Sequence, residues 1–170
     1  MTGLHTGHSP VRGNDEWKER GDVWSFEAMF EDSKLEGQRP LPDSTFTVAS
    51  FLQSQGYKTG MVGKWHLGQG SDYHPMSRGF DSYFGVLAGA SQFFETLPEG
   101  AAFARSDAPG PRSSYNAVYR GREPVQVDEY LTDVFTKEAL DFIDKNASDP
   151  FFLYLSHTTR TRHYRQLKNT

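Results

Sequence analysis

Residues 56–68 read GYKTGMVGKWHLG. A glycine that can stop a helix opens the stretch, and YKTGMVG (57–63) follows as a short apolar run ended by glycine. Such a run predicts a short buried strand. If the strand continues through Lys64–His66, Lys64 and His66 point to one face and Trp65 to the other. Both side chains then reach one pocket at a strand's carboxyl end, where open α/β sheets bind ligands. Gly63 and Gly68 permit a close backbone approach. Lysine brings a point charge with three donors, and histidine a donor that can also move a proton. Together they suit a tetrahedral oxyanion such as sulfate or phosphate. A lone Lys-x-His pair is common and usually solvated, so spacing alone favours two solvated side chains over an anion site.

The flanking segments predict the rest of an α/β unit. Thr45, Val48, Ala49 and Leu52 repeat at helical spacing, with Asp43 or Ser44 as N-cap and Gly56 as the stop. From Asp128 to about Asn146, Leu131, Val134, Phe135, Ala139, Phe142 and Ile143 line one helical face, while Glu138 and Asp141 belong to a solvated face. Asp149–Pro150 breaks that helix, and FFLYLS (151–156) is a continuous apolar strand of the kind buried in a parallel sheet. Residues 1–43 read as mostly loop, and 69–127 as a long irregular insertion. The fold class is α/β. Two helix–strand units make an incomplete piece of a doubly wound domain.

Composition narrows the function. A chain of 170 residues can bury one real core, and an aromatic share of 14% argues against disorder. The net charge of −4 leaves no electrostatic footprint for nucleic acid. No apolar run approaches the ~18 residues of a membrane span. No apolar h-region follows Met1, so no signal peptide is read there. The absence of cysteine excludes thiol catalysis, disulfides and zinc–thiolate sites. His5, His8 and His74 stand in loop-like segments and are expected at the surface. Asn146-Ala-Ser fits a glycosylation triplet. Residues 160–170, RTRHYRQLKNT, carry Arg160, Arg162, Arg165 and Lys168 with no acidic side chain, which marks a boundary after residue 159.

GYKTGMVGKWHLG resembles the second signature of the sulfatase family, within the alkaline-phosphatase-like superfamily. Weaker matches keep the family's order. MTGLHTGHSPVRGN is similar to the segment after the nucleophile motif Cys-x-Pro-Ser-Arg-x-x-x-Thr-Gly, and LPDSTFTVASFLQSQGY to the helix before the second signature. RGFDSYFG resembles the turn after it, and DPFFLYLS the strand after the next helix. The resemblance covers residues 1 to about 159 and is arylsulfatase-like.

It implies an alkaline-phosphatase-like doubly wound fold and hydrolysis of a sulfate ester, either an aryl sulfate or a sulfated sugar. In that family a formylglycine attacks the sulfur, helped by a divalent cation, usually calcium. Lys64 would neutralise the sulfate charge, and His66 would hydrogen-bond the nucleophile's hydrate. The nucleophile motif and the acidic metal ligands of the family have no counterpart in these residues, so the chain is expected to be an internal fragment, inactive alone. Leu4 replaces a basic residue, and HTTRTRHYRQ stands where the family carries Pro-His-x-Pro, so neither His157 nor His163 has that context. One permitted coding of 160–170, shifted by a single base, restores Pro-His-Thr-Pro. The tail is therefore expected to be out-of-frame translation. Two alternatives remain at this point. One is a fragment of a related phosphoesterase. The other is a small module binding sulfated glycans through Lys64, His66, Arg112, Arg120 and Arg122.

Overall fold

The computed structural model describes residues 1–5, 7–9, 11, 41–42, 44–68, 70–87 and 117–158. The expectations for the segment 12–40, the tail 160–170 and Arg112 fall outside these residues. Five strands form one mixed sheet in the order β4-β3-β2-β1-β5. They are β1 (Lys58–Lys64), β2 (Ser82–Val86), β3 (Val118–Arg120), β4 (Glu123–Val125) and β5 (Phe151–Ser156). β1 lies at the parallel heart, with Gly63 opposite Gly85 of β2 and Ser156 of β5. β3 and β4 complete the sheet as antiparallel additions.

Helix α1 (Val48–Ser54) covers one face and α2 (Leu131–Lys145) the other. The α2 face buries Val62, Phe84, Val86, Val118, Leu131, Val134, Phe135 and Ala139 in one cluster. The α1 face buries Ala49, Met61, Trp65, Phe80, Tyr83 and Leu87, with Met1, Phe152 and Tyr154 packed against them. β1 separates the two cores because its residues alternate between them, the period of a strand. Gly60 lets α2 close in, since a Cβ there would lie 2.4 Å from the Phe142 ring.

Several boundaries differ from expectation for physical reasons. The cap of α1 is Thr47, whose Oγ1 accepts from the Ser50 backbone N–H at 3.0 Å and donates to the Arg78 carbonyl at 2.8 Å. That second bond is tertiary, and it moves the start beyond Asp43 or Ser44. The expected irregular insertion contributes β2, β3, β4 and the 3₁₀ turn Pro75–Ser77. β5 is parallel to β1 as expected, yet among the described residues it is the sheet's edge, with Phe151 and Leu155 exposed. Ile143 also faces outward from α2.

Candidate functional site

The site is built where β1, β2 and β5 end together. Gly63 has φ 112, and a Cβ on it would lie 1.9 Å from the Ser156 carbonyl oxygen. Gly85 is equally crowded, with 1.9 Å to the Gly63 carbonyl oxygen. Only glycine fits at such distances, so the three strand ends converge there without side chains between them. β1 ends at Lys64. The chain then stays attached to β2, because the Trp65 N–H donates to Val86 O at 3.0 Å and the His66 N–H to Leu87 O at 3.1 Å.

The expected alternation through residues 64–66 is not what positions the pair. His66 has φ 57, the described residues' single positive φ outside glycine, so the chain turns there instead of extending. Trp65 anchors the turn. It is 4% exposed, its indole meets Phe80 edge-on, and its Nε1 donates to the Tyr73 carbonyl at 2.8 Å. The apolar ring and its satisfied N–H fix the step from which Lys64 and His66 project.

Electrostatics tie the two together. Burial lowers the Lys64 ammonium below its usual range. Burial, and then the Lys64 charge, push His66 down to about 4. His66 is therefore a neutral imidazole near pH 7. Its Nε2 is buried without a hydrogen-bond partner, and no carboxylate pairs with Lys64 among the described residues. A half-desolvated cation beside an unsatisfied ring nitrogen is a costly arrangement in isolation, and an anion relieves both parts of it. Thr158, two residues past the end of β5, carries a second buried and unpartnered polar atom, its Oγ1. The sequence reading passed over it, since a threonine after a strand gives no signal of its own.

Other candidates are placed elsewhere. His5 and His8 are exposed, as expected. His74 is 4% exposed, contrary to expectation. Its Nδ1 accepts from the Met76 N–H at 3.2 Å and caps the 3₁₀ turn, and its ring stands edge-on to Tyr83. Burial and the Arg122 charge push it to about 4, with a backbone contact to Gly121 pulling the other way. Glu138 is largely covered, because Arg120 forks onto its carboxylate at 2.5 and 2.7 Å and lies 4.7 Å over the Phe84 ring. Arg122 donates to Ser77 Oγ at 2.7 Å. Arg120 and Arg122 of the expected glycan patch are thus engaged in holding the β3–β4 hairpin.

A model of the sulfatase family matches residues 13–161. The chain belongs to the sulfatase family. Human arylsulfatase G is 56% identical over 134 residues, covering 68% of this chain and 25% of the relative. Human N-acetylgalactosamine-6-sulfatase is 36% identical over 120 residues, covering 67% of this chain and 22% of the relative. The sulfatase chain thus spans about a quarter of the length of the curated relatives it matches. Among solved structures, Ps i-CgsB aligns with a TM-score of 0.59 at 28% identity, over 73% of this chain and 29% of that one. PsFucS1 sulfatase from Pseudoalteromonas sp. aligns with a TM-score of 0.51 at 20% identity, over 79% and 31%, a likeness of fold.

Proposed function

We propose that this chain is the sulfate-holding part of a sulfatase catalytic domain, whose whole protein hydrolyses an aryl sulfate or a sulfated sugar. The reading is carried by one observation: a half-buried Lys64 with no carboxylate partner among the described residues, beside a neutral His66 with an unsatisfied Nε2, at the carboxyl ends of parallel strands. Lys64 places a positive charge where the sulfate's oxygens carry negative charge. His66 contributes a hydrogen bond from a ring held neutral, and Trp65 fixes the geometry of both. The left-handed turn at His66 is strain of the kind that sites store.

The covalent step belongs to a formylglycine in the parent reading, and its source motif does not occur in these residues. No three His, Asp or Glu side chains converge among the described residues. The divalent cation therefore does not fit the part described, and no step is routed through it. Positioning groups act on charge that a nucleophile generates, so this chain alone binds sulfate without turning over an ester. Arg120 and Arg122 already donate to Glu138 and Ser77, which favours the sulfatase reading over a separate glycan-binding module.

Titration of the purified chain with sodium sulfate, against sodium chloride at matched ionic strength, tests the reading. The imidazole signals of His66 should shift saturably with sulfate alone, and Lys64→Ala should abolish the shift. A response identical in chloride, or one that survives Lys64→Ala, would refute it. Hydrolysis of an aryl sulfate that Lys64→Ala abolishes would refute the inactivity of the isolated chain.

A further inference from the structure

Lys64 and His66 project from the step that Trp65 anchors, and the indole Nε1 of Trp65 donates to the Tyr73 carbonyl at 2.8 Å. That carbonyl belongs to the peptide joining Tyr73 to His74, so whatever fixes His74 fixes the acceptor. The His74 Nδ1 accepts from the Met76 N–H at 3.2 Å, and the His74 carbonyl accepts from the Ser77 N–H at 2.8 Å. Its ring stands edge-on to Tyr83, with centroids 5.2 Å apart. These contacts hold His74 extended, at φ −61 and ψ 143, at the head of the 3₁₀ turn Pro75–Ser77. Pro75 restricts the residue before it to the same region.

Only a neutral imidazole can accept at Nδ1, and its proton then sits on Nε2. Burial and the Arg122 charge keep the His74 ring neutral near pH 7. Tyr83, the wall against which the ring packs, belongs to β2, and the carbonyl of Val86 on the same strand takes the Trp65 N–H. His74 therefore lies between the two sources of Trp65's hydrogen bonds, the Tyr73 carbonyl and the end of β2. We propose that His74 is a positioning residue of the sulfate site: its Nδ1 sets the Tyr73–His74 peptide, whose carbonyl orients the Trp65 indole and, through it, Lys64 and His66. The proposal rests on the sulfate-holding reading of that pair. It adds that the geometry of the pair is set from a turn outside the strand ends, by a side chain that acts on the ligand only through Trp65.

His74→Asn and His74→Phe separate the acceptor from the ring, since asparagine keeps an acceptor at the cap and phenylalanine keeps a ring against Tyr83. Two signals are read in the purified chain: the Trp65 indole N–H resonance without ligand, and the His66 shift with sodium sulfate against sodium chloride. His74→Phe should move the indole resonance upfield, the direction of a weakened hydrogen bond. It should also weaken sulfate binding about fivefold, the factor that matches one lost cap. His74→Asn should leave the resonance in place and bind sulfate within about twofold of the parent chain. In a Trp65→Phe background, which has no indole N–H, His74→Phe should cost no further affinity. An unmoved resonance or parent-like affinity in His74→Phe would overturn the proposal. So would equal losses in the two variants, which would assign the effect to ring packing, or a loss that persists undiminished in the Trp65→Phe background. If His74→Phe does not fold, Trp65→Phe alone decides: weakened sulfate binding supports the proposal, and parent-like affinity without the indole bond overturns it. A chain that responds to sulfate no more than to chloride would overturn the sulfate-holding reading. The indole resonance, read without sulfate, would still judge the link from His74 to Trp65.

Discussion

Gly63 and Ser156 face each other across the β1–β5 junction so closely that a Cβ on the glycine would sit 1.9 Å from the serine's carbonyl oxygen. The contact is backbone on side-chain position, so no rotamer change relieves it. Gly63 also adopts φ 112, which L side chains rarely tolerate. Gly63→Ala should therefore destabilise the chain by more than about 2 kcal/mol in urea denaturation. Gly3, with φ 68 and nothing within 4 Å of its Cβ position, is the control, and Gly3→Ala should cost about 1 kcal/mol. Similar losses at both positions would mean that the strand ends relax apart.

The two depressed histidines give stability a defined pH dependence. His66 and His74 both titrate at about 4 in the folded chain, against an ordinary value of 6.5. Between those values the unfolded chain binds more protons, so folding stability is complete above pH 6.5 and is lost as pH falls toward 4. Denaturation midpoints measured from pH 7.5 to 4.5 should fall, and His66→Gln should flatten part of that slope. Lys64→Met should raise the His66 value, since the lysine's charge is one of its two causes. A His66 titration unchanged in Lys64→Met would show that burial accounts for the whole depression.

Much of this architecture is legible in the residues, and the failures have one common cause. FFLYLS and the 131–143 stripe announce β5 and α2 through an apolar run and a helical period, although Phe151, Leu155 and Ile143 end up exposed. β3 and β4 are three residues each and include Pro124, so only the pairing of β3 to β2 and of β4 to β3 makes them strands. His74 is buried by its packing on Tyr83 and by the hairpin around Gly121, a partner nearly fifty residues on. The Lys64–His66 pair stands out by residue type alone. Its geometry does not, because the turn at His66 is held by the Val86 and Leu87 carbonyls at the end of β2, and nothing in Trp-His-Leu predicts a left-handed backbone.

Asp81 locks the turn that brings β2 beside β1. Its carboxylate accepts from the Thr59 N–H at 2.9 Å and from Gln53 Nε2 at 2.7 Å, so one side chain joins α1, β1 and the entry to β2. Burial pushes the carboxyl up, but these bonds and the Lys58 charge outweigh it and hold Asp81 below the usual range. Its contribution is therefore present above the ordinary carboxylate range and lost as pH falls through it, below the histidine window. Asp81→Ala should cost about 1–2 kcal/mol at pH 7, with a smaller cost near pH 3. An equal cost at both pH values would show that the ionised form has no advantage.

The Arg120–Glu138 fork is the contact that clamps the β3–β4 hairpin to α2. The guanidinium makes two bonds to one carboxylate and covers the Phe84 ring, a combination that an ammonium cannot reproduce. The arginine is 58% exposed and the glutamate 19%, so solvent screens the pair and a large value is not expected. A double-mutant cycle of Arg120→Ala and Glu138→Ala should give a coupling of about 1 kcal/mol. Arg120→Lys should lose most of it, because one ammonium cannot bridge both oxygens while lying flat on the ring. The distinction from an anion-binding role is direct. Sulfate affinity in Arg120→Ala, read from the His66 shift, should stay within about twofold of the parent chain, since removing a screened surface charge changes little. A tenfold loss of sulfate binding in that variant would return Arg120 to the ligand site and undo its assignment as a structural clamp.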